Sequence, residues 1–213
     1  MDNISVIIRN RNEEQYIGFA IQSCIDYFNT PEIIIVDNQS TDNSLEVVNL
    51  FKDRATIKVV KIDDYTPGKS INLGVAHASN EIILVLSAHC EITDIDKDSI
   101  VEGLDKYVAI FGQQNPIYKG KKISKRYIWS HFGIEKHVNM YSSIEQRHFL
   151  HNAFCFYKKS TLLRYPMPEK YAGKEDRYWA RDMVKCGFEY LYSYEHKVSH
   201  YYTGGGATWK GIG

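Results

Sequence analysis

The sequence predicts an α/β fold: one domain on a central, mostly parallel sheet with helices on both faces. Two observations lead there. Apolar runs at residues 4–8, 33–36 and 57–60 are each too continuous for a strand with one wet face, and the stretches between them repeat apolar residues at spacings of three and four. Between the first two runs, Tyr16, Ala20, Ile21, Cys24 and Tyr27 trace one stripe of a helix. Between the second and third, Leu45, Val48 and Phe51 do the same, after polar residues 40–42 suited to capping. A fourth unit puts Ile71, Val75 and Ala78 on a helix and residues 81–86 on a strand. Such units join by right-handed crossovers, and the sheet they build takes its ligand beyond the C-terminal strand ends. Those ends carry polar clusters at 9–14, 37–41, 63–69 and 87–90.

From about residue 109 the periodicity weakens, and 113–143 is expected to be a long loop region or short helices. A strand is predicted at 152–157. A helix is predicted from Glu175 to Lys185, with Trp179, Ala180, Met183 and Val184 as its buried stripe and Gly187 as its stop. His200 falls on a last strand. Five of the last twelve residues are glycine, which reads as a flexible tail over 204–213.

At 213 residues the chain is short for two full-sized domains, and 44% hydrophobic content supplies one core. Equal numbers of basic and acidic residues give zero formal charge, which argues against a nucleic-acid partner. The N-terminus, with Asp2 and a five-residue apolar run ending at arginine, lacks the order of a signal peptide, and no stretch nears the ~20 apolar residues of a membrane span. A soluble, cytoplasmic protein is expected. Cys24, Cys90, Cys155 and Cys186 lie far apart and read as four buried, reduced thiols.

A dinucleotide-binding domain would carry G-x-G-x-x-G after its first strand, to let a pyrophosphate approach bare backbone. This chain carries Arg9-Asn10-Arg11-Asn12-Glu13-Glu14, and it has no P-loop. The stretches SVIIRNRNEEQYI, EIIIVDNQSTDNSLEVV, PGKSINLGVAHASNEIILVLSAH and YAGKEDRYWARDMVKCGFE, in this order and ending near VSH, resemble the family 2 glycosyltransferases. The resemblance implies the glycosyltransferase A fold, Rossmann-like in its central sheet. It also implies one domain over 1–203, with a donor-binding half (1–110) and an acceptor-binding half holding the base (111–203).

In that family the first strand end and the acid after the second strand hold the nucleotide. The matching residues here are Arg9, Asn10, Arg11, Glu13 and Asp37, an aspartate being suited to accept from a uracil or thymine N–H or a ribose hydroxyl. Pro67-Gly68-Lys69-Ser70 opens the helix bearing Asn72, so Lys69 at a helix N-terminus would offset diphosphate charge, unless it is only an exposed lysine at a helix start. The family's Asp-x-Asp reads Ser87-Ala88-His89 here. Serine is a poor metal ligand, whereas imidazole suits manganese better than magnesium, so His89 with His200 is one route to a divalent metal. Metal-free contact of His89 with phosphate is the other. Glu175-Asp176 matches the family's Glu-Asp pair, with Asp176 as general base, kept ionised by the helix dipole.

Tyr118, Tyr127, Trp129, Phe132 and Tyr141 would receive an acceptor sugar or form a small core, and His148, His151 and Asn152 stand near the acceptor side. The implied reaction is transfer, with inversion, from a UDP- or dTDP-sugar to a saccharide or lipid-linked acceptor in surface or capsular polysaccharide synthesis, with peripheral contact at the inner membrane face. A catalytically silent nucleotide-sugar-binding module and a nucleotidyltransferase are the rivals. A silent module has no use for Asp176, and a nucleotidyltransferase would carry a glycine-rich basic loop that is missing here.

Overall fold

The computed structural model describes residues 3–123, 129, 131–171, 173–204 and 206. Tyr127 and all of the glycine-rich tail except Gly204 and Gly206 lie outside the described residues. Strand β1 (Ile4–Asn10), helix α1 (Ile17–Tyr27), β2 (Glu32–Asp37), α2 (Ser44–Asn49), β3 (Thr56–Lys61), α3 (Pro67–His77) and β4 (Ile82–Ser87) follow the predicted alternation. After them come β5 (Cys90–Asp94), α4 (Lys97–Lys106), β6 (Ala109–Tyr118), β7 (Lys121–Lys122), β8 (His137–Val138), β9 (Tyr141–Ser142) and β10 (Arg147–His148). The chain closes with β11 (Phe154–Lys158), α5 (Lys159–Arg164), α6 (Glu175–Lys185) and β12 (Leu191–Tyr201).

The main sheet runs β3-β2-β1-β4-β11-β6-β12-β5. The first four strands are parallel, β11 and β5 run against their neighbours, and β6 and β12 are parallel to each other, so the sheet is mixed but mostly parallel. Because side chains alternate across a pleat, each central strand feeds two cores. Ile7, Ile34, Val36, Ile83 and Val85 face α3, α5 and α6 through Ile71, Leu162 and Trp179. Ile8, Ile33, Ile35, Leu84 and Leu86 face α1, α2 and α4 through Ile21, Val48 and Ile100. Both faces are covered, which is why these strands read as unbroken apolar runs.

The third run departs from that expectation. β3 is an edge strand, with Thr56, Lys58, Val59 and Lys61 exposed, so it is not covered on both sides. Segment 113–143 is also not simply loop: β6 extends to Tyr118 and lies between β11 and β12 in the middle of the sheet. Trp129 and Phe132 join the core beside Phe111, Phe149 and Tyr192, while Tyr141 stands exposed. The predicted strand at 152–157 starts later, at Phe154, leaving Asn152 in the turn before it. Helix α6 occupies the predicted residues, and Gly187 follows it at φ +83°, a left-handed conformation that favours glycine. Three cysteines are buried, but Cys186 at the end of α6 is exposed.

Candidate active site

In the sheet order, β2 and β4 flank β1 on opposite sides, so the chain leaves β1 and β4 in opposite directions and opens a crevice at their C-terminal ends. A cleft of about 830 Å³ lies there. Of the residues singled out from sequence, Arg9, Asn10, Arg11, Glu13, Ser87, Ala88, His89, His151, Asn152, Glu175 and Asp176 line it. Asp37, Lys69, Asn72, His148 and His200 do not.

The loops after β1 and β2 hold each other in place. Asn12 sits at φ +56° and its Oδ1 accepts the Thr41 N–H at 2.7 Å, while Ser40 Oγ accepts the Asn12 N–H at 3.0 Å. The Glu13 N–H donates to Ser44 Oγ at 2.8 Å and the Glu14 N–H to Asp42 Oδ2 at 2.9 Å. Beneath them, buried Asp37 accepts from Asn10 Nδ2 at 2.9 Å and from Ser40 Oγ at 2.6 Å. Asp37 thus anchors the loop from below. Asn10 directs both amide hydrogens at Asp37 and Ser40, and its buried Oδ1 has no hydrogen-bond partner among the described residues, leaving an acceptor in the cleft wall.

Two other sequence candidates are engaged elsewhere. Lys69 pairs with Asp64 on the surface. Asn72 uses its whole amide on the segment ahead of α6: Nδ2 donates to the Met167 carbonyl and to Glu169 Oε1, each at 2.9 Å, and Oδ1 accepts the Met167 N–H at 2.9 Å. The Thr66 hydroxyl caps α3 by accepting the Lys69 N–H at 3.1 Å.

His89 and Glu13 meet across the cleft wall, with Nδ1 and Oε1 3.0 Å apart. His200 packs behind, its ring centroid 4.9 Å from that of His89, buried and bonded through Nδ1 to Gln114 Oε1 at 2.7 Å. Among the described residues no three His, Cys, Asp or Glu side chains gather as a metal-holding set. Glu13 and His89, bonded to each other, are the carboxylate and imidazole in contact in the cleft wall. A divalent ion bound here would be held by these two side chains and would take its other ligands from phosphate and water. In the cleft, Glu13 rather than His200 is the companion of His89.

On the opposite wall, Glu175 and Asp176 open α6. Glu175 is buried, forms an ion pair with Arg9 at 3.3 Å and accepts from Asn152 Nδ2 at 3.5 Å. Asn152 Oδ1 in turn accepts the Tyr157 hydroxyl at 2.5 Å. Asp176 is half-buried, and its Oδ1 accepts the Arg177 N–H, one of the donors a helix start leaves unpaired, at 2.7 Å. Burial pushes the Asp176 carboxyl above its ordinary value; the Arg177 amide, Arg147, Arg177 and Arg9 pull it only part of the way back. The helix dipole alone predicts the opposite direction. Burial and the neighbouring Asp176 push Glu175 up as well, against Arg9.

Asn38, Tyr65 and Thr66, from the polar clusters at 37–41 and 63–69, also line the cleft, as do Glu145, Arg147, Arg177 and Thr203, which sequence reasoning passed over. Arg177 had a signal, since it follows Asp176 directly. Arg147 had none, because its segment shows no period.

A mostly parallel α/β sheet with a polar cleft at its switch point, lined by carboxylates and by an imidazole–carboxylate pair, has the ligand-site arrangement of the open α/β sheets. The match that names the family is to glycosyl transferase family 2, over residues 5–169, and the chain belongs to that family. It is 38% identical over 88 residues to an uncharacterized glycosyltransferase of Nostoc sp., covering 40% of this chain and 27% of that protein. It is 25% identical over 179 residues to the O-antigen chain rhamnosyltransferase WbaN of Salmonella anatum, covering 79% of this chain and 56% of that one. The chain thus spans about half or less of the curated relatives it matches.

Among solved structures, Staphylococcus aureus TarS 1-349 in complex with UDP-GlcNAc superposes with a TM-score of 0.74 at 19% identity, covering 97% of this chain and 60% of that one. GalNAc-T7 with UDP, GalNAc and Mn2+ gives 0.71 at 15%, covering 95% and 44%. The fold is therefore the glycosyltransferase A fold.

Proposed function

We propose that this chain transfers a sugar from a nucleoside-diphosphate sugar to a hydroxyl of a saccharide or lipid-linked acceptor, with inversion, in the assembly of a surface polysaccharide. The observation that carries the reading is the half-buried Asp176, raised in basicity and facing the donor-side residues Arg9, Asn10 and His89 across one cleft. A base must be a good proton acceptor near working pH, and raising a carboxyl does that. Asp176 takes the proton of the acceptor hydroxyl as that oxygen attacks the anomeric carbon. Attack comes from the face opposite the leaving nucleoside diphosphate, so the configuration inverts. Glu175, tied to Arg9 and Asn152, fixes the start of α6 and thereby the base.

On the donor side, the free Asn10 Oδ1 suits a base N–H or a ribose hydroxyl, and Arg9 and Arg11 suit the diphosphate. A divalent ion held by Glu13 and His89 would supply further positive charge to the leaving diphosphate. UDP-GlcNAc and UDP in the similar structures support a uridine donor, with a dTDP-sugar as the other candidate. Among the described residues no helix is long and apolar enough to cross a membrane. We place the reaction in the cytoplasm, at the inner membrane face where the acceptor is lipid-linked.

The test is a panel of UDP- and dTDP-sugars scored by thermal shift, followed by nuclear magnetic resonance of the product's anomeric configuration. A stabilising donor and an inverted product are expected. No shift with any nucleoside-diphosphate sugar, or a retained configuration, would sink the reading.

A further inference from the structure

Among the described residues, four arginines and four carboxylates line the cleft, and two of the arginines lie apart from the donor-side Arg9 and Arg11. Arg147, on β10, and Arg177, on α6, come from elements that pack against each other, and both line the cleft around Asp176. Arg147 is largely buried; one nitrogen pairs with Glu145 and another donates to the His148 carbonyl at 3.2 Å. Its Nε is buried without a hydrogen-bond partner among the described residues, and so is the Nε of Arg177. The Arg177 guanidinium has no ion-pair partner among the described residues. The hydrogen bond between Arg177 and Asp176 runs from the Arg177 backbone N–H, and the guanidinium acts on Asp176 only through its field.

Two guanidinium groups held beside a catalytic carboxylate work against it. Each stabilises the charged, weakly basic form of Asp176. Arg147 has Glu145 as its ion-pair partner, but taking the Arg177 cation out of water without one is also costly. A neutral sugar acceptor corrects neither problem. An oxyanion on the acceptor corrects both, since it satisfies the buried nitrogens and cancels the field that weakens the base. His151 fits the same picture. Burial together with Arg147, Arg177 and Arg9 holds it at about 3, so it stays neutral and adds a hydrogen bond without adding charge.

We propose that Arg147 and Arg177 form an acceptor subsite for an oxyanion, a phosphate or a carboxylate carried by the acceptor saccharide next to the hydroxyl that Asp176 deprotonates. The inference rests on the transfer reading above. Guanidinium forks match both oxyanions bidentately, so the arginines fix the orientation of the acceptor as well as its charge. These are binding residues. Their effect on the rate passes through Asp176.

The test uses the full chain saturated with UDP, and compares methyl glucoside, its 6-phosphate and methyl glucuronide as acceptor-side probes by thermal shift and calorimetry. The 6-phosphate or the glucuronide is expected to bind about tenfold more tightly than the neutral glycoside, and the better of the two identifies the group. Arg147→Gln and Arg177→Gln should each abolish that preference while UDP affinity stays within about twofold of the parent. Where a glutamine variant fails to fold, Arg147→Lys or Arg177→Lys replaces it and should keep part of the preference, having charge without the fork. Equal binding of neutral and anionic glycosides overturns the proposal. Loss of UDP affinity in the arginine variants also overturns it, by assigning both residues to the donor diphosphate. An anion preference in a protein that binds neither UDP nor dTDP would leave the subsite standing and overturn the transfer reading instead.

Discussion

Asp176 is where stability and activity pull apart. Its folded-state carboxyl lies above its unfolded value, so in the interval between the two the native state binds the proton and the unfolded state does not. Stability therefore falls as pH rises through that interval, and above it the whole penalty is present. Asp176→Asn removes the charge at nearly constant volume. It should melt at a higher temperature than the parent at pH 7, with the gap closing as pH falls below the carboxylate range, while transfer drops by about 100-fold or more. Donor affinity should be unchanged in calorimetry, and a variant that folds but no longer binds donor would remove Asp176 from the role of base. The resemblance to the family singled this residue out, and the apolar stripe of the helix it opens placed it in the first turn. Sequence reasoning also put Asp37, Lys69, Asn72 and His200 in the site, and none of them lines the cleft. Position in a strand–helix unit says which end of the sheet a residue occupies. It does not say which way the side chain turns, and Asp37 turns inward onto Asn10 and Ser40.

At the scale of elements, the active-site wall depends on how α3 holds the segment that leads into α6. Asn72 grips both backbone groups of the buried Met167, the Trp179 Nε1 donates to the Tyr165 carbonyl at 2.7 Å, and a Cβ on Gly68 would run into the carbonyl of Pro168. Asn72→Ala leaves the Met167 N–H and carbonyl without their partner, a loss of about 2 kcal/mol. For a chain of this size that is roughly 4–8 °C in melting temperature. The turnover should fall several-fold through misplacement of Asp176, with donor affinity intact. A variant whose main defect is weakened donor binding would instead return Asn72 to the donor site. Sequence reasoning passed over β5, α4, α5 and the long β6, and for β6 the cause is plain. β6 reads Ala-Ile-Phe-Gly-Gln-Gln-Asn-Pro-Ile-Tyr, and its glycine, amides and proline have poor strand propensity and break the alternation. Its strand character comes from β11 and β12 on either side, a tertiary fact with no local trace. Arg147 belongs to the same irregular half, which is why its part of the cleft was harder to read than the part built by β1 and β4.

Across the whole molecule, burial pushes three histidines below the ordinary imidazole value, and one of them ties β12 to α4. His196 on β12 accepts the Asp96 N–H through Nδ1 at 3.2 Å and lies 3.4 Å from Ser99 Oγ through Nε2, which ties the capped start of α4 to the sheet. It is buried, and burial outweighs Asp96 and Glu195 to bring it down to about 4. His151 is held at about 3, and His200 is pushed down by burial, His89 and His151. Each has a folded value below its unfolded value of 6.5, so between the two the unfolded state binds a proton that the native state refuses. Stability then falls as pH drops, by up to about 1.4 kcal/mol per pH unit for each such histidine. The raised carboxyls of Glu175 and Asp176 act in the opposite sense, but only at pH above their unfolded values of 4.5 and 3.8 and up to their folded ones. The urea midpoint should therefore hold steady above about pH 7 and decline from pH 6.5 towards pH 5. His196→Gln keeps an acceptor for the Asp96 N–H and removes the titrating ring, so it should flatten part of that decline while leaving the cleft untouched. A parent profile that is level from pH 7 to pH 5 would mean that these rings take up protons without cost in the folded state, and that the link between α4 and β12 does not depend on a neutral His196.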